Sequence, residues 1–192
     1  MGKVKIIVAA LCLFGSSVCS FATGRDRDIR DNVIDTLTFY LWVKEATGNN
    51  DGYQVEKFIA STGLNPKGQY PWCAAFITYS FKANGLEVPQ YPARAASWFD
   101  SEHEINSKDA TQGDLGSLYY RNLGRIGHIF MYLEPYVNST PFVTTGEGNT
   151  NVEGSREGNR AAKRHRPRGV VYSSADWIPK PKVSRFYKCN LK

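Results

Sequence analysis

Along the first half of the chain the apolar positions recur at helical spacing, and in the second half they fall into short alternating runs. From Ile29, the positions Val33, Ile34, Leu37, Tyr40 and Leu41 share one helical face, with Gly48 as the stop. Asn49–Asn50–Asp51–Gly52 is turn chemistry, and Asp51 is placed to cap the next helix. Val55, Phe58 and Ile59 mark that second helix, which ends at Gly63, and Pro66 to Pro71 reads as a loop. A third helix is predicted from Trp72–Cys73 through Ala75, Phe76, Tyr79 and Phe81 to Asn84–Gly85. Pro89 and Pro92 frame another loop, and Ala93 to Phe99 is a short helix carrying Trp98. Beyond it, Leu115–Tyr120, His128–Leu133, Phe142–Thr145, Val170–Tyr172 and Arg185–Tyr187 are β-rich or aromatic runs separated by Gly, Asn and Pro. Helices first and strands after predict an α+β domain, with N-terminal helices packed on an antiparallel β-sheet. With 192 residues and no internal repeat, one domain is expected.

The N-terminus has a different pattern. Lys3 and Lys5 precede an apolar run from Ile6 to Gly15, and the small residues Ser16, Ser17, Ser20 and Ala22 come after it. That is the layout of a secretory signal peptide over residues 1–22. The run falls short of the roughly 17–25 residues a membrane helix needs, so no stable membrane insertion is expected. Residues 23–40 then read as a charged leader and the start of the first helix, and 41–192 as the catalytic domain. The expected location is secreted or periplasmic.

Composition narrows the classes. Hydrophobic residues at 42% and charged residues at 22% belong to a globular domain and exclude a disordered chain. The formal charge is +6, and removing residues 1–22 takes Lys3 and Lys5 but no acid, leaving +4. A basic chain favours anionic partners such as wall polymers, nucleic acid or anionic lipid, without choosing among them. No zinc-finger spacing, P-loop or dinucleotide fingerprint is present.

Of the four cysteines, Cys12 and Cys19 leave with the signal, so Cys73 and Cys189 remain and could pair in an oxidising compartment. Within Pro71–Trp72–Cys73–Ala74–Ala75–Phe76, Cys73 opens the third helix. Unpaired backbone N–H groups and the positive dipole end there stabilise a thiolate, and can hold an oxyanion. Taken alone, the hexapeptide reads first as a buried structural cysteine. A nucleophilic thiol needs a base. His103 lies in the polar stretch Ser101–Glu104, and His165 in the basic run Lys163–Arg166, both read as solvated. His128 follows Gly127 at a strand start, on the face of Phe130 and Tyr132 by alternation, and is the base candidate by elimination. Glu147 and Asn149 lie at the end of the Phe142 run with period-two spacing. Glu147 can orient the imidazole and Asn149 assist or contact substrate, the alternative being an ordinary Gly/Asn turn. Tyr70, Trp72 and Trp98 are the candidate substrate contacts.

Taken in order, Trp72–Cys73–Ala74, Gly127–His128 and Glu147–Gly148–Asn149 resemble the CHAP family, the cysteine- and histidine-dependent amidohydrolases and peptidases of cell-wall turnover. The resemblance includes Glu45 to Gly52, Val55 to Phe58 and Gly113–Asp114, and runs roughly from Leu41 to Tyr172. It implies a papain-like fold related to the NlpC-type wall peptidases, with Cys73 as nucleophile, His128 as general base, Glu147 as orienting acid and Asn149 assisting. It also implies peptidoglycan rather than nucleic acid as partner, a monomer, and no cofactor. Two departures concern substrate fit: Phe130 stands where the family often has glycine, and the basic run Lys163 to Arg168 is dense. Some members bind calcium through an acidic loop. Here Thr47 and Phe58 occupy the first and last ligand positions of that pattern, so a capping turn and no metal are expected. The same scaffold also admits a silent wall-binding protein locked by a Cys73–Cys189 disulfide, or an antibacterial toxin using the same chemistry.

Overall fold

A computed structural model describes residues 29–151 and 158–179. The signal-peptide reading of residues 1–22, the run Arg185–Tyr187 and Cys189 lie outside the described residues. Among the described residues three α-helices come first: α1 (Ile29–Phe39), α2 (Tyr53–Ser61) and α3 (Cys73–Ala83). Six strands come after them: β1 (Glu104–Ile105), β2 (Leu115–Tyr120), β3 (Arg125–Tyr132), β4 (Phe142–Thr150), β5 (Arg160–Pro167) and β6 (Ser174–Ala175). They form one antiparallel sheet in the order β1-β6-β2-β3-β4-β5. The arrangement is the expected α+β, papain-like one.

Helix α3 is buried along eight of its eleven residues, which places it in the middle of the molecule. It packs between α1 and α2 on one side and β3 and β4 on the other. Val33 and Leu37 of α1, Val55, Phe58 and Ile59 of α2, and Ile129 and Met131 of β3 close this core. Residues 29–39 therefore share the core of the rest of the domain. The alternate residues of β3, Phe130 and Tyr132, enter a second cluster with Leu118 and Val143 on the opposite face.

The sequence Gly146–Glu147–Gly148 is the surface on which the helices sit. A Cβ on Gly148 would lie 2.6 Å from the Phe76 Cβ and 2.8 Å from the Trp72 ring. One on Gly146 would lie 2.4 Å from a Leu37 methyl. The turn reading of this segment gives way to a strand that continues to Thr150, because strand β5 supplies the partner for its backbone.

Four further elements depart from the sequence reading. The run Lys163–Arg166, read as a solvated basic face, lies within strand β5, with Lys163 and His165 exposed and Arg164 and Arg166 half-buried on its other face. Helix α1 ends at Phe39, before Gly48, because the chain turns and pairs with the start of β5. There Ala161 N–H donates to Val43 O at 2.8 Å, and Glu45 N–H to Asn159 O at 2.9 Å. Residues 168–170 form a 3₁₀ turn, and Ser174–Ala175 make the strand expected at Val170–Tyr172. Asp51 does not cap α2; its carboxylate accepts from the Thr47 N–H at 2.9 Å and the Thr47 hydroxyl at 2.6 Å, closing its own loop.

Gly148→Ala overpacks the α3–β4 contact, a class of change that costs about 1–3 kcal/mol. At roughly 2–4 °C per kcal/mol for a chain of this size, thermal denaturation should show Tm lower by about 3–10 °C. Gly169→Ala, at an exposed position where a Cβ meets nothing within 4 Å, is the control and should leave Tm within about 2 °C of the parent.

Candidate active site

Cys73 is the first residue of α3, and its Trp72 cap offers no side-chain bond to the first turn. The helix is held by Phe76 N–H donating to Trp72 O at 2.9 Å. The β3–β4 ladder pairs Met131 with Gly146 and Tyr132 with Thr145, and α3 packs against both strands. The His128 ring and the backbone N–H groups of Ile129 and Ala74 act on the Cys73 sulfur and favour the charged form. Among the described residues no cysteine is bonded to Cys73.

His128 reaches the sulfur from β3 and Glu147 from β4. The imidazole Nε2 lies 2.8 Å from Glu147 Oε2, which leaves Nδ1 as the nitrogen that faces Cys73. Glu147 is fully buried. Its Oε1 accepts from Arg166 Nε at 2.8 Å and the Thr145 hydroxyl at 2.6 Å, and its Oε2 accepts from Arg166 Nη2 at 2.6 Å as well as facing His128. All four acceptor positions of the carboxylate are occupied.

The electrostatics follow from this chain of contacts. Burial pushes the Cys73 thiol up, but the hydrogen bond and positive charge of His128 and the two backbone donors outweigh it, and the group ends below its ordinary value. Burial pulls His128 down, while Cys73 and Glu147 together raise it to about 9. Burial also opposes ionisation of Glu147, yet Arg166 and His128 hold its carboxyl well below the usual carboxylate range. The three shifts favour a thiolate–imidazolium pair beside an ionised carboxylate.

The remaining expected residues take other places. Asn149 has a positive φ of 50° at the irregularity in the β4–β5 ladder. Its Nδ2 donates to Asn50 Oδ1 at 3.0 Å, to Gly158 O at 2.8 Å and to Glu45 Oε1 at 3.3 Å, and its Oδ1 accepts from Trp72 N–H at 3.3 Å. Trp72 Nε1 in turn donates to Glu45 Oε1 at 2.7 Å. Asn149 and Glu45 thus pin the residue before the cysteine. Trp72 and Trp98, expected as substrate contacts, are fully buried instead. Trp98 donates to Pro92 O at 3.0 Å and packs between Phe81 and Trp177, because the short helix that carries it turns inward. Tyr70 stays accessible beside the cysteine.

The thiol opens on a cleft of about 290 Å³ bounded by Tyr70 and Pro71 on one side and by Tyr120, Arg125 and Gly127 on the other. His128 lines it, whereas His103 stacks on Trp177 at 3.6 Å and His165 lies 3.4 Å from the Thr144 hydroxyl, away from it. Arg166 is the contributor that sequence reading missed. Its signal was the alternation of Ala162, Arg164 and Arg166 within the basic run, legible only once that run is taken as a strand.

Alkylation of Cys73 by iodoacetamide, corrected with Cys73→Ala, should follow a titration midpoint below the ordinary ~8.5 of a free thiol. His128→Ala removes the hydrogen bond and the cation while leaving the burial, so the midpoint should rise above that value. An unchanged midpoint in His128→Ala would show that the pair does not form.

No curated protein and no solved structure matches the chain. The sequence model of the NlpC/P60 family matches residues 65–168, more than half of the chain, from the loop before α3 to the end of β5. These are the NlpC-type wall peptidases to which the CHAP resemblance pointed as relatives. The stretch contains Cys73, His128, Glu147 and Arg166. The chain belongs to the NlpC/P60 family of papain-like cell-wall peptidases.

Proposed function

We propose that the protein is a secreted peptidoglycan hydrolase that cuts an amide bond through Cys73, His128 and Glu147. The bond is the N-acetylmuramoyl-L-alanine amide or a peptide bond of the stem or cross-bridge. The observation that carries this reading is the buried chain from the Cys73 sulfur through His128 to Glu147 at the floor of an open cleft.

The Cys73 thiolate attacks the amide carbonyl, and a C–S bond forms as the carbonyl electrons move to oxygen. The N–H groups at the start of α3 face that oxyanion. The imidazolium of His128 gives its proton to the departing amine as the C–N bond breaks, leaving a thioester and a neutral imidazole. Water, deprotonated by His128, then releases the acid and restores the pair. Glu147 holds the ring in place and favours its cationic form throughout.

The cleft supports an anionic substrate. Arg94 and Arg125 line it exposed, and no carboxylate does so among the described residues. Acidic groups of the wall peptides would meet these two cations. The secretory route rests on the pattern of residues 1–22.

Cys73→Ala should abolish release of soluble fragments from purified sacculi, and mass spectrometry of the parent's products should show a new free amine at the cut. Digestion by Cys73→Ala at the parent's rate would sink the proposal. Arg94→Glu and Arg125→Glu should each raise KM for acidic wall peptides roughly 2–5-fold or more with kcat kept, since an exposed ion pair contributes about 0.2–1 kcal/mol. KM unchanged in both would remove the anion-binding role. With the alkaline limb set by His128 at about 9, activity should fall as pH rises through that value.

A further inference from the structure

We infer that Arg166 is a positioning residue: its guanidinium fixes the plane of Glu147 and renders the buried set Cys73–His128–Glu147–Arg166 electrically neutral in its reactive form. The catalytic half of this inference rests on the proposed hydrolase reading; the half concerning the thiol does not.

The geometry has two parts. Arg166 contacts Glu147 through Nε and Nη2, one bond to each carboxylate oxygen, at 2.8 and 2.6 Å. A planar fork bound in this way sets the carboxylate plane, which a single contact would leave free to turn. The oxygen bound by Nη2 is the one that faces His128 Nε2 at 2.8 Å. Orientation therefore passes from β5 to β4 to the ring on β3, and the ring presents Nδ1 to the sulfur of α3. The Arg166 Nη2 also lies 3.3 Å from the Thr150 hydroxyl, which holds the fork from its far side.

The second part is charge. Thiolate, imidazolium and carboxylate sum to one negative charge, and Glu147 has no exposed surface to dissipate it. A buried net charge is relieved by taking up a proton, and either the thiolate or the carboxylate could take it. Arg166 brings the sum to zero. The other charged or titratable neighbours do not substitute for it. Tyr120 and the Thr145 hydroxyl are uncharged partners near Arg166 and Glu147. Arg94 and Arg125 stand exposed at the cleft, where solvent and salt screen them. Arg164, half-buried on the same face of β5, donates to Asn151 O instead, Glu45 is engaged with Trp72 and Asn149 on the other side of the α3 start, and Lys163 and His165 are exposed on the outer face of β5.

The test compares the parent with Arg166→Gln, Arg166→Lys and the double variant Arg166→Gln/Glu147→Gln. Iodoacetamide alkylation of Cys73 against pH reports the thiolate, and kcat and KM on purified sacculus fragments report catalysis. In Arg166→Gln the alkylation midpoint should move up by about one pH unit or more, roughly a tenfold loss of thiolate on the acid side, and kcat should fall with KM unchanged. The double variant removes both charges and should bring the midpoint back toward the parent's. Arg166→Lys keeps the charge without the fork, so its midpoint should stay near the parent's while kcat still falls. A lower Tm with the parent's midpoint and kcat in Arg166→Gln would overturn the inference and leave Arg166 a structural residue. If Arg166→Gln does not fold, parent-like kcat in Arg166→Lys overturns the positioning role, and a double variant whose midpoint departs from the parent's by more than a unit overturns the charge balance. A parent that alkylates as expected but releases nothing from sacculi would refute the hydrolase reading and leave the thiol result standing.

Discussion

The site is organised around the burial of one carboxylate. Glu147 has no exposed surface, and an ionised group in that position is tolerated only when its oxygens are fully hydrogen-bonded and its charge is matched. Arg166, His128 and Thr145 meet both requirements, and each comes from a different place: β5, β3 and β4 itself. The order of the central strands, β3-β4-β5, meets this need. If β5 lay elsewhere, Glu147 would lose its counter-charge, His128 its fixed ring and Cys73 the cation that lowers it.

Bringing a helix end to the same point imposes a second constraint. The first turn of α3 reaches the sulfur's partners only because Gly146 and Gly148 let the helices lie directly on β4. The two glycines and the acid between them therefore act together: the acid turns to one face of the strand, and the glycines clear the other. On the upstream side, Glu45 and Asn149 hold Trp72, so the residue before the cysteine is tied to the sheet and to the loop that precedes α2. The helix dipole is thereby aimed into the cleft, and the thiolate it favours sits beside the imidazolium.

Much of the fold was legible because its signals are local. The periodicity of Val55, Phe58 and Ile59, and of Ala75, Phe76 and Phe81, located α2 and α3 closely, and the run Leu115–Tyr120 coincides with β2. Local signals failed where long-range pairing decided. Lys44 bridges Arg160, more than a hundred residues away, and no spacing near Gly48 could announce that contact. The arginines and lysine of β5 have the composition of a solvated face, and they form a strand because β4 offers them a partner. Trp72 and Trp98, named as candidate substrate contacts, bring enough apolar area to be drawn into the core.

By itself the sequence determined the α+β class, the order of elements, and an ordered set of Cys73, His128 and Glu147 that resembles a cell-wall hydrolase. These depend on residue type and spacing along the chain, which need no third dimension. Only the tertiary structure decided which nitrogen of His128 faces which neighbour, that Asn149 braces Trp72, and that Arg166 closes the polar chain behind Glu147. Those facts are distances between strands far apart in sequence, and they are set by register and burial, where a shift of one residue would turn each side chain to the opposite face.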